Sequence, residues 1–326
     1  MLRHAARRLA HALLVVWTAA TASFALVHLA PGDPLAVSIE SPLVNAAQRA
    51  ALRVRYGLDR SLPEQYARWL GNAARGDLGW SVAQQRPVAE ILGEALPRTA
   101  LLVGTALALA FAAGVGVGAF AGWRPRHPAA RLLSALSIVL HATPEFLLGL
   151  ALVAVVALRW ALLPAGGYAD PVADALLPAG ERVLDRLRHL ALPAAALALG
   201  WTAVIARHQR AAVADVAGED FVRTARAKGL SEPRVATRHA LRAALAPTLA
   251  LLGLALPALV GGAVVTESVF AWPGVGLVAT QAVAARDYAV VTGVVVAGSA
   301  AVALGAWLAE VLYAWADPRA AAGEDA

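Results

Sequence analysis

The chain holds few residues able to do covalent chemistry. It has no cysteine, which removes thiolate nucleophiles, disulfides and Cys-ligated metals from consideration. Its single lysine, Lys228, follows Ala227 rather than glycine. A phosphate-cradling Gly-Lys-Ser/Thr loop is therefore missing, and hydrolysis of ATP by that route is excluded. His28, His141, His189, His208 and His239 are scattered, with no His-Glu-x-x-His pair for zinc and no Gly-x-Ser-x-Gly elbow for a serine nucleophile. One carboxylate stands out, in the string His141-Ala142-Thr143-Pro144-Glu145-Phe146 within a long apolar run. An ionisable group at membrane depth is a functional candidate by default, and Pro144 frees a nearby carbonyl that could line a water-filled path. Three roles stay open for Glu145: a translocation-path residue, a helix-interface partner of His141 or of an arginine, or a group that reaches interfacial water.

The polar residues concentrate instead between Arg207 and Arg242, a stretch with eight basic side chains set between two apolar runs. Val213, Val216, Ala217, Phe221 and Ala225 recur at three- and four-residue spacing and read as one helical stripe. Asp215, Glu219 and Asp220 come early and Arg223, Arg226 and Lys228 late, the order that suits a helix dipole. Glu219 and Arg223 form an acid-before-base pair at i,i+4. Gly229 can turn left-handed and stop the helix, and Ser231, with Pro233 behind it, reads as the cap of a second one. A basic amphipathic loop of this kind can also simply lie on anionic lipid.

These elements must be positioned by a membrane bundle. At 326 residues, 59% hydrophobic and 15% charged, the chain is too apolar for an ordinary soluble domain. A spanning helix needs about 20 apolar residues, and stretches near 9–30, 99–122, 132–158, 189–206, 243–266 and 289–315 qualify. The fourth is the weakest, because Pro193 interrupts it. The first is too long for a signal-peptide core and reads as a retained helix. Basic residues at Arg3, Arg7 and Arg8, at Arg124, Arg126 and Arg131, across 207–242 and at Arg319 place both termini and that loop in the cytoplasm. The net charge of +6 is not a nucleic-acid signal, since basic and aromatic residues are not interleaved on a soluble face. The expected fold is an all-α polytopic membrane protein with six transmembrane helices. Its parts are residues 1–30 (tail and first helix), 31–98 (an extracytoplasmic segment) and 99–326 (a five-helix core with the 207–242 loop).

The run Glu219-Asp220-Phe221-Val222-Arg223-Thr224-Ala225-Arg226-Ala227-Lys228-Gly229-Leu230, followed by Arg238-His239-Ala240-Leu241-Arg242, resembles the cytoplasmic coupling loop of ABC importer permeases of the dipeptide and oligopeptide type. The wider superfamily has Glu-Ala-Ala, three residues and Gly; here Arg223-Thr224-Ala225 and Gly229 take those places, as in the peptide-importer version. Further similar strings are Tyr56 to Tyr66, Arg75 to Gly79, Leu192-Pro193-Ala194, Glu267 to Gly276, Arg286-Asp287-Tyr288 and Asp317-Pro318-Arg319. The resemblance implies an inner-membrane permease that is not itself an enzyme. It also implies a second homologous permease, two ABC ATPases carrying the ATP and magnesium, an extracytoplasmic substrate-binding protein and surrounding lipid as partners. Implied ATPase-coupling residues are Val216, Glu219, Asp220, Phe221, Arg223, Thr224, Ala225, Arg226, Lys228 and Gly229. Path or gate candidates, read from the residues themselves, are Thr143, Pro144, Glu145, Phe146, Glu267, Pro273, Gly274 and Gly276, the last three being expected to form a re-entrant or outer-face turn; Glu145 departs from the small-Pro-small-Phe sequence usual in the family. No metal site is expected. Relatives carry dipeptides, oligopeptides, nickel chelates or glycosides. A stand-alone proton-coupled transporter is the alternative from another class, although Glu145 and Glu310 make a poor relay.

Overall fold

The structure is a computed structural model that describes residues 2–29 and 59–316. The Asp317 to Arg319 string and the start of the Tyr56 string lie outside the described residues. Two compact units are present, one made of Met1–Thr99 and Pro273–Ala303, the other of Ala100–Trp272 and Leu304–Ala326.

The first unit begins with α1 (Leu2–Leu29). Leu13, Leu14, Val15, Trp17 and Leu26 on α1 are exposed, as suits a helix whose solvent is lipid, where every backbone group is bonded within the helix. A short helix, α2 (Leu62–Ala73), lies on the end of α1 through an aromatic cluster. Phe24 stacks on His28 at 4.0 Å and meets Tyr66 and Trp69 at 5.3 and 5.5 Å, and the Thr21 hydroxyl bonds the Tyr66 hydroxyl at 2.7 Å. The strands β1 (Trp80–Ser81) and β2 (Arg86–Pro87) then form a small antiparallel hairpin, a departure from the all-α expectation. Its seat is Asp287, which accepts from the Ser81 hydroxyl at 2.5 Å and the Ala83 N–H at 3.1 Å. Val88, Ile91, Leu92 and Ala95, at the start of α3 (Val88–Trp123), form the core with Val275, Ala282 and Val290. The last two helices are α12 (Val275–Ala284) and α13 (Tyr288–Ala316), counted after those of the second unit.

In the second unit α3 continues and is followed by α4 (Pro128–Ala142) and α5 (Glu145–Leu152), which runs into a π-helical stretch, Val153–Arg159. The expected single span at 132–158 is broken at Thr143–Pro144, where the two halves bend by 108°. Pro144 cannot supply the N–H that would carry the helix through, and the residue before a proline is pushed out of helical geometry; Thr143 sits at ψ 126. After α6 (Pro171–Leu176) comes α7 (Ala179–Val216), 38 residues without a break. It has the lowest mean hydropathy of the spanning helices, but Leu192-Pro193-Ala194 lie well inside it and do not interrupt it. Around Pro193, Leu190, Leu192, Ala194, Ala196 and Leu197 are all buried, so packing holds the helix through the proline. Its spanning window is 61% buried against 11% for α1, which makes α7 the axis of this unit. Leu102, Ala106 and Ala110 of α3 pack on it with Ile205, Ala263 and Trp272. Toward its end α3 approaches closely: a Cβ on Gly122 would lie 2.6 Å from the Arg210 carbonyl and 2.9 Å from the Val213 Cβ.

The polar loop contributes α8 (Asp220–Ala227) and α9 (Glu232–Arg234), the latter continuing as a π-helical stretch, Val235–Ala240. The expected 243–266 span is two helices, α10 (Leu241–Ala250) and α11 (Leu252–Val269). Among the described residues four helices are long and apolar enough to cross a membrane, or five if the bent α4–α5 pair counts as one span.

Candidate functional site

The basic loop is a folded object with its own small core. α7 ends at Val216, and Ala217 and Gly218 lead to Glu219, which is extended at φ −69, ψ 152 and begins α8. That interruption shifts the helical register. The stripe read through Val213, Val216, Ala217, Phe221 and Ala225 on one helix does not hold throughout: Val213 and Ala225 are buried as read, but Val222 at 0% exposure, and not Phe221 at 44%, is the inward residue at the start of α8. Val222 and Ala225 pack with Val235 and Ala240, and Trp123, Val216 and Leu230 close the cluster. Val216 is thus a partly buried support for the loop and not part of its free face. Gly229 adopts φ +79, a left-handed turn that costs other L-residues about 1–2 kcal/mol, and there the chain reverses into α9. Ser231 occupies the cap position of α9 without making a side-chain capping bond.

The charges are arranged differently from the i,i+4 expectation. Arg223 reaches Asp220 at 3.4 Å, not Glu219. Arg226 bonds Glu232 at 2.8 Å across the Gly229 turn and lies 5.0 Å over the Trp123 ring. Its contact with both halves holds the turn closed. Glu219, Asp220, Phe221, Arg223, Thr224 and Lys228 remain on the exposed side, an aromatic ring framed by charges of both signs. Of the expected coupling residues, Ala225 and Val216 build the support, Arg226 and Gly229 fix the turn, and the other six present the outer face.

Glu145 begins α5, directly after the 108° break. Its partner is Thr266 of α11, whose hydroxyl donates to Oε1; a Cβ on Gly262, one helical turn earlier, would lie 2.8 Å from Oε2. The His141 pairing is not formed: His141 is exposed, and Glu145 is a polar clasp between α5 and α11. Thr143 donates its hydroxyl back to the Val139 carbonyl at 2.8 Å, and Phe146 is 45% exposed. Glu267, beside Thr266, is fully buried.

After α11 the chain turns: Trp272 N–H bonds the Glu267 carbonyl at 2.9 Å and Ala271 takes φ 49. The Trp272 ring meets Tyr168 edge-on at 5.2 Å, and Gly167 N–H bonds the Phe270 carbonyl at 2.8 Å, so the 159–170 loop is fastened to this turn. Pro273 and Gly274 belong to the other unit, where Gly274 is the extended residue before α12 and the Thr99 hydroxyl accepts from Val275 N–H at 2.8 Å. Gly276 lies within α12, so it does not interrupt a helix as expected. The path candidates thus fall into two groups, Thr143, Pro144, Glu145, Phe146 and Glu267 in the second unit and Pro273, Gly274 and Gly276 in the first. Sequence reasoning missed Thr266, Gly262, Val222, Trp123 and the Ser81–Asp287 contact. Only the need of a membrane carboxylate for a partner pointed toward one of them.

Apolar helices of bilayer length, a carboxylate clasped between the shorter helices α5 and α11, and a structured basic loop beyond α7 are the parts of a multi-pass membrane permease. The chain belongs to the family of binding-protein-dependent transport system inner membrane components, which residues 114–322 match, while residues 1–103 match the corresponding N-terminal region. This family supplies the membrane permease of ABC importers. The chain is similar to the oligopeptide transport system permease protein AppB of Bacillus subtilis, 36% identical over 91% of this chain and 92% of that one. It is likewise similar to the di/tripeptide transport system permease protein DppB of Pseudomonas aeruginosa, 35% identical over 98% of each. Among solved structures, the inward-facing methionine ABC transporter MetNI shares the fold, with a TM-score of 0.52 at 17% identity over 70% of this chain and 96% of that one.

Proposed function

We propose that this chain is one of two homologous permease subunits of a peptide-carrying ABC importer, and that it couples to a separate ATPase through the exposed face of α8. The observation that carries the reading is the pairing of neighbours at the start of α8: Val222 is locked into the loop's own core while Phe221 projects outward among charges. A large aromatic left outside a folded polar loop is the kind of anchor that fills a partner's apolar pocket, with rim charges setting register. Glu219, Asp220, Arg223, Thr224 and Lys228 supply that rim. Gly229 and the Arg226–Glu232 pair make α8 and α9 move as a body. ATP-driven closure of two ATPase subunits, which hold the nucleotide and magnesium, then shifts this body and switches the bundle between outward- and inward-facing states.

In this reading the bundle has six spans with both termini and the 207–242 loop in the cytoplasm, and residues 31–98 and the 267–276 turn face the opposite side, toward a substrate-binding protein. The relatives' names, oligopeptide and di/tripeptide permeases, support a peptide cargo. Thr143, Pro144, Glu145, Phe146, Glu267, Pro273, Gly274 and Gly276 are the residues assigned to the path or its gate. The test is purification of the chain from its own membrane in mild detergent, with mass spectrometry of bound proteins, followed by peptide uptake in proteoliposomes. Recovery of a second permease and P-loop ATPases, with uptake that requires internal ATP, is expected. A chain recovered alone that carries solute without ATP would overturn the reading in favour of a secondary transporter.

A further inference from the structure

Within the first unit, α1 and α13 leave an open groove of about 480 Å³ between them. Ala19, Ala22 and Leu26 of α1 line one side and Val291 and Val295 of α13 the other, with Tyr288 at the start of α13 and Arg286 just before it. At a rise of about 1.5 Å per residue, the lining runs about 12 Å from Val27 to Ala19 and about 10 Å from Tyr288 to Val295. That is most of one leaflet of a hydrocarbon core about 30 Å thick. The small side chains of Ala19 and Ala22 hold the groove open, and apolar atoms dominate its walls.

Its polar end has one charged residue. Arg286 is exposed and takes the left-handed φ of 53, a conformation that costs a side-chain-bearing residue about 1–2 kcal/mol and persists where surroundings enforce it. The turn is enforced by Asp287, whose N–H bonds the Ala282 carbonyl at 2.8 Å and whose carboxylate is buried under Ser81 and Ala83. Asp287 is thereby engaged by the hairpin, and among the described residues no carboxylate forms an ion pair with Arg286. A cation beside a phenol at the level where a span meets the interface, opening onto an apolar channel one leaflet deep, is complementary to an anionic lipid.

We infer that this groove holds one anionic diacyl phospholipid of the phosphatidylglycerol type, its phosphate facing Arg286 and Tyr288 and one acyl chain lying between α1 and α13. The test is native mass spectrometry of the intact importer in detergent, titrated with phosphatidylglycerol or with phosphatidylcholine of the same chains. The wild type is expected to retain the anionic lipid about fivefold more strongly, the size of one arginine's attraction to an anionic lipid surface. Arg286→Ala should equalise the two lipids, Arg286→Lys should keep the preference, and Ala22→Trp should abolish retention of both by filling the groove. Assembly of each variant with its partners is checked in the same spectra. Equal retention of the two lipids by the wild type, a preference that survives Arg286→Ala, or binding unchanged by Ala22→Trp would each overturn the proposal. Displacement of the lipid by soluble glycerophosphoglycerol would also overturn it, marking a headgroup site that needs no membrane lipid.

Discussion

Replacing Phe221 with alanine removes the side chain on which the coupling proposal rests and touches little else. An aromatic side chain buries about 150–250 Å² when fully covered. With Phe221 44% exposed, about 70–110 Å² remains for a partner to cover. At about 25 cal/mol per Å² this amounts to about 1.8–2.8 kcal/mol, or roughly a 20- to 100-fold weaker association with the ATPase. The loop's own core does not involve Phe221, so the thermal unfolding of the detergent-solubilised chain should be unchanged. Val222→Ala is the control in the opposite sense. It hollows the buried cluster, costs about 1.5–2.5 kcal/mol of local stability, and should weaken association only in proportion to unfolding of the loop. The assay is binding of the purified ATPase to the permease in nanodiscs, alongside peptide-stimulated ATP hydrolysis and uptake in proteoliposomes. If Phe221→Ala binds the ATPase and transports like the wild type, the exposed ring is not an anchor and the register argument for α8 fails.

Gly229→Val forces a β-branched residue into a φ of +79, at a cost of at least about 1–2 kcal/mol. It should leave the spans assembled while peptide uptake falls relative to ATP hydrolysis, measured as the ratio of the two rates. Asp287→Ala strips the Ser81 hydroxyl and the Ala83 N–H of their acceptor, each loss worth about 1–3 kcal/mol. It should appear as faster hydrogen exchange at Ala83 and protease nicking near residues 80–87. Glu145→Gln keeps an oxygen for Thr266 to bond, so the protein should be made in normal amounts. A fall in uptake rate or a change in peptide preference is expected, and unchanged transport would remove Glu145 from the path.

Local signals were legible wherever a backbone constraint sits in one residue. Gly229 reads as a left-handed stop and Pro144 as a freed carbonyl, and both positions interrupt a helix. The face of α8 was not legible, because periodicity carries through Ala217, Gly218 and Glu219 as though the helix did, and a three-residue interruption moves the buried position from Phe221 to Val222. Pro193 failed in the other direction: a helix-breaking residue is overruled when its neighbours are buried on all sides, a tertiary effect that no local window contains. Contacts such as Glu145 with Thr266 and Ser81 with Asp287 join residues 121 and 206 positions apart, and a single sequence has nothing that links them.

Pro193 also sets where α7 can flex. Without an N–H at that position the carbonyl of His189 has no helical partner, and bends concentrate at prolines. From Ala194 to Val216 the helix is a rod about 34 Å long, ending at the support of the 217–240 loop. A bend of about 10° at Pro193 carries Val216 sideways by about 6 Å, roughly the pitch of one helical turn. The close fit of Gly122 against Arg210 and Val213 obliges the end of α3 to travel with it. In the proposed coupling, a small angular change at this proline fulcrum is geared into a displacement of about one helical turn at the loop.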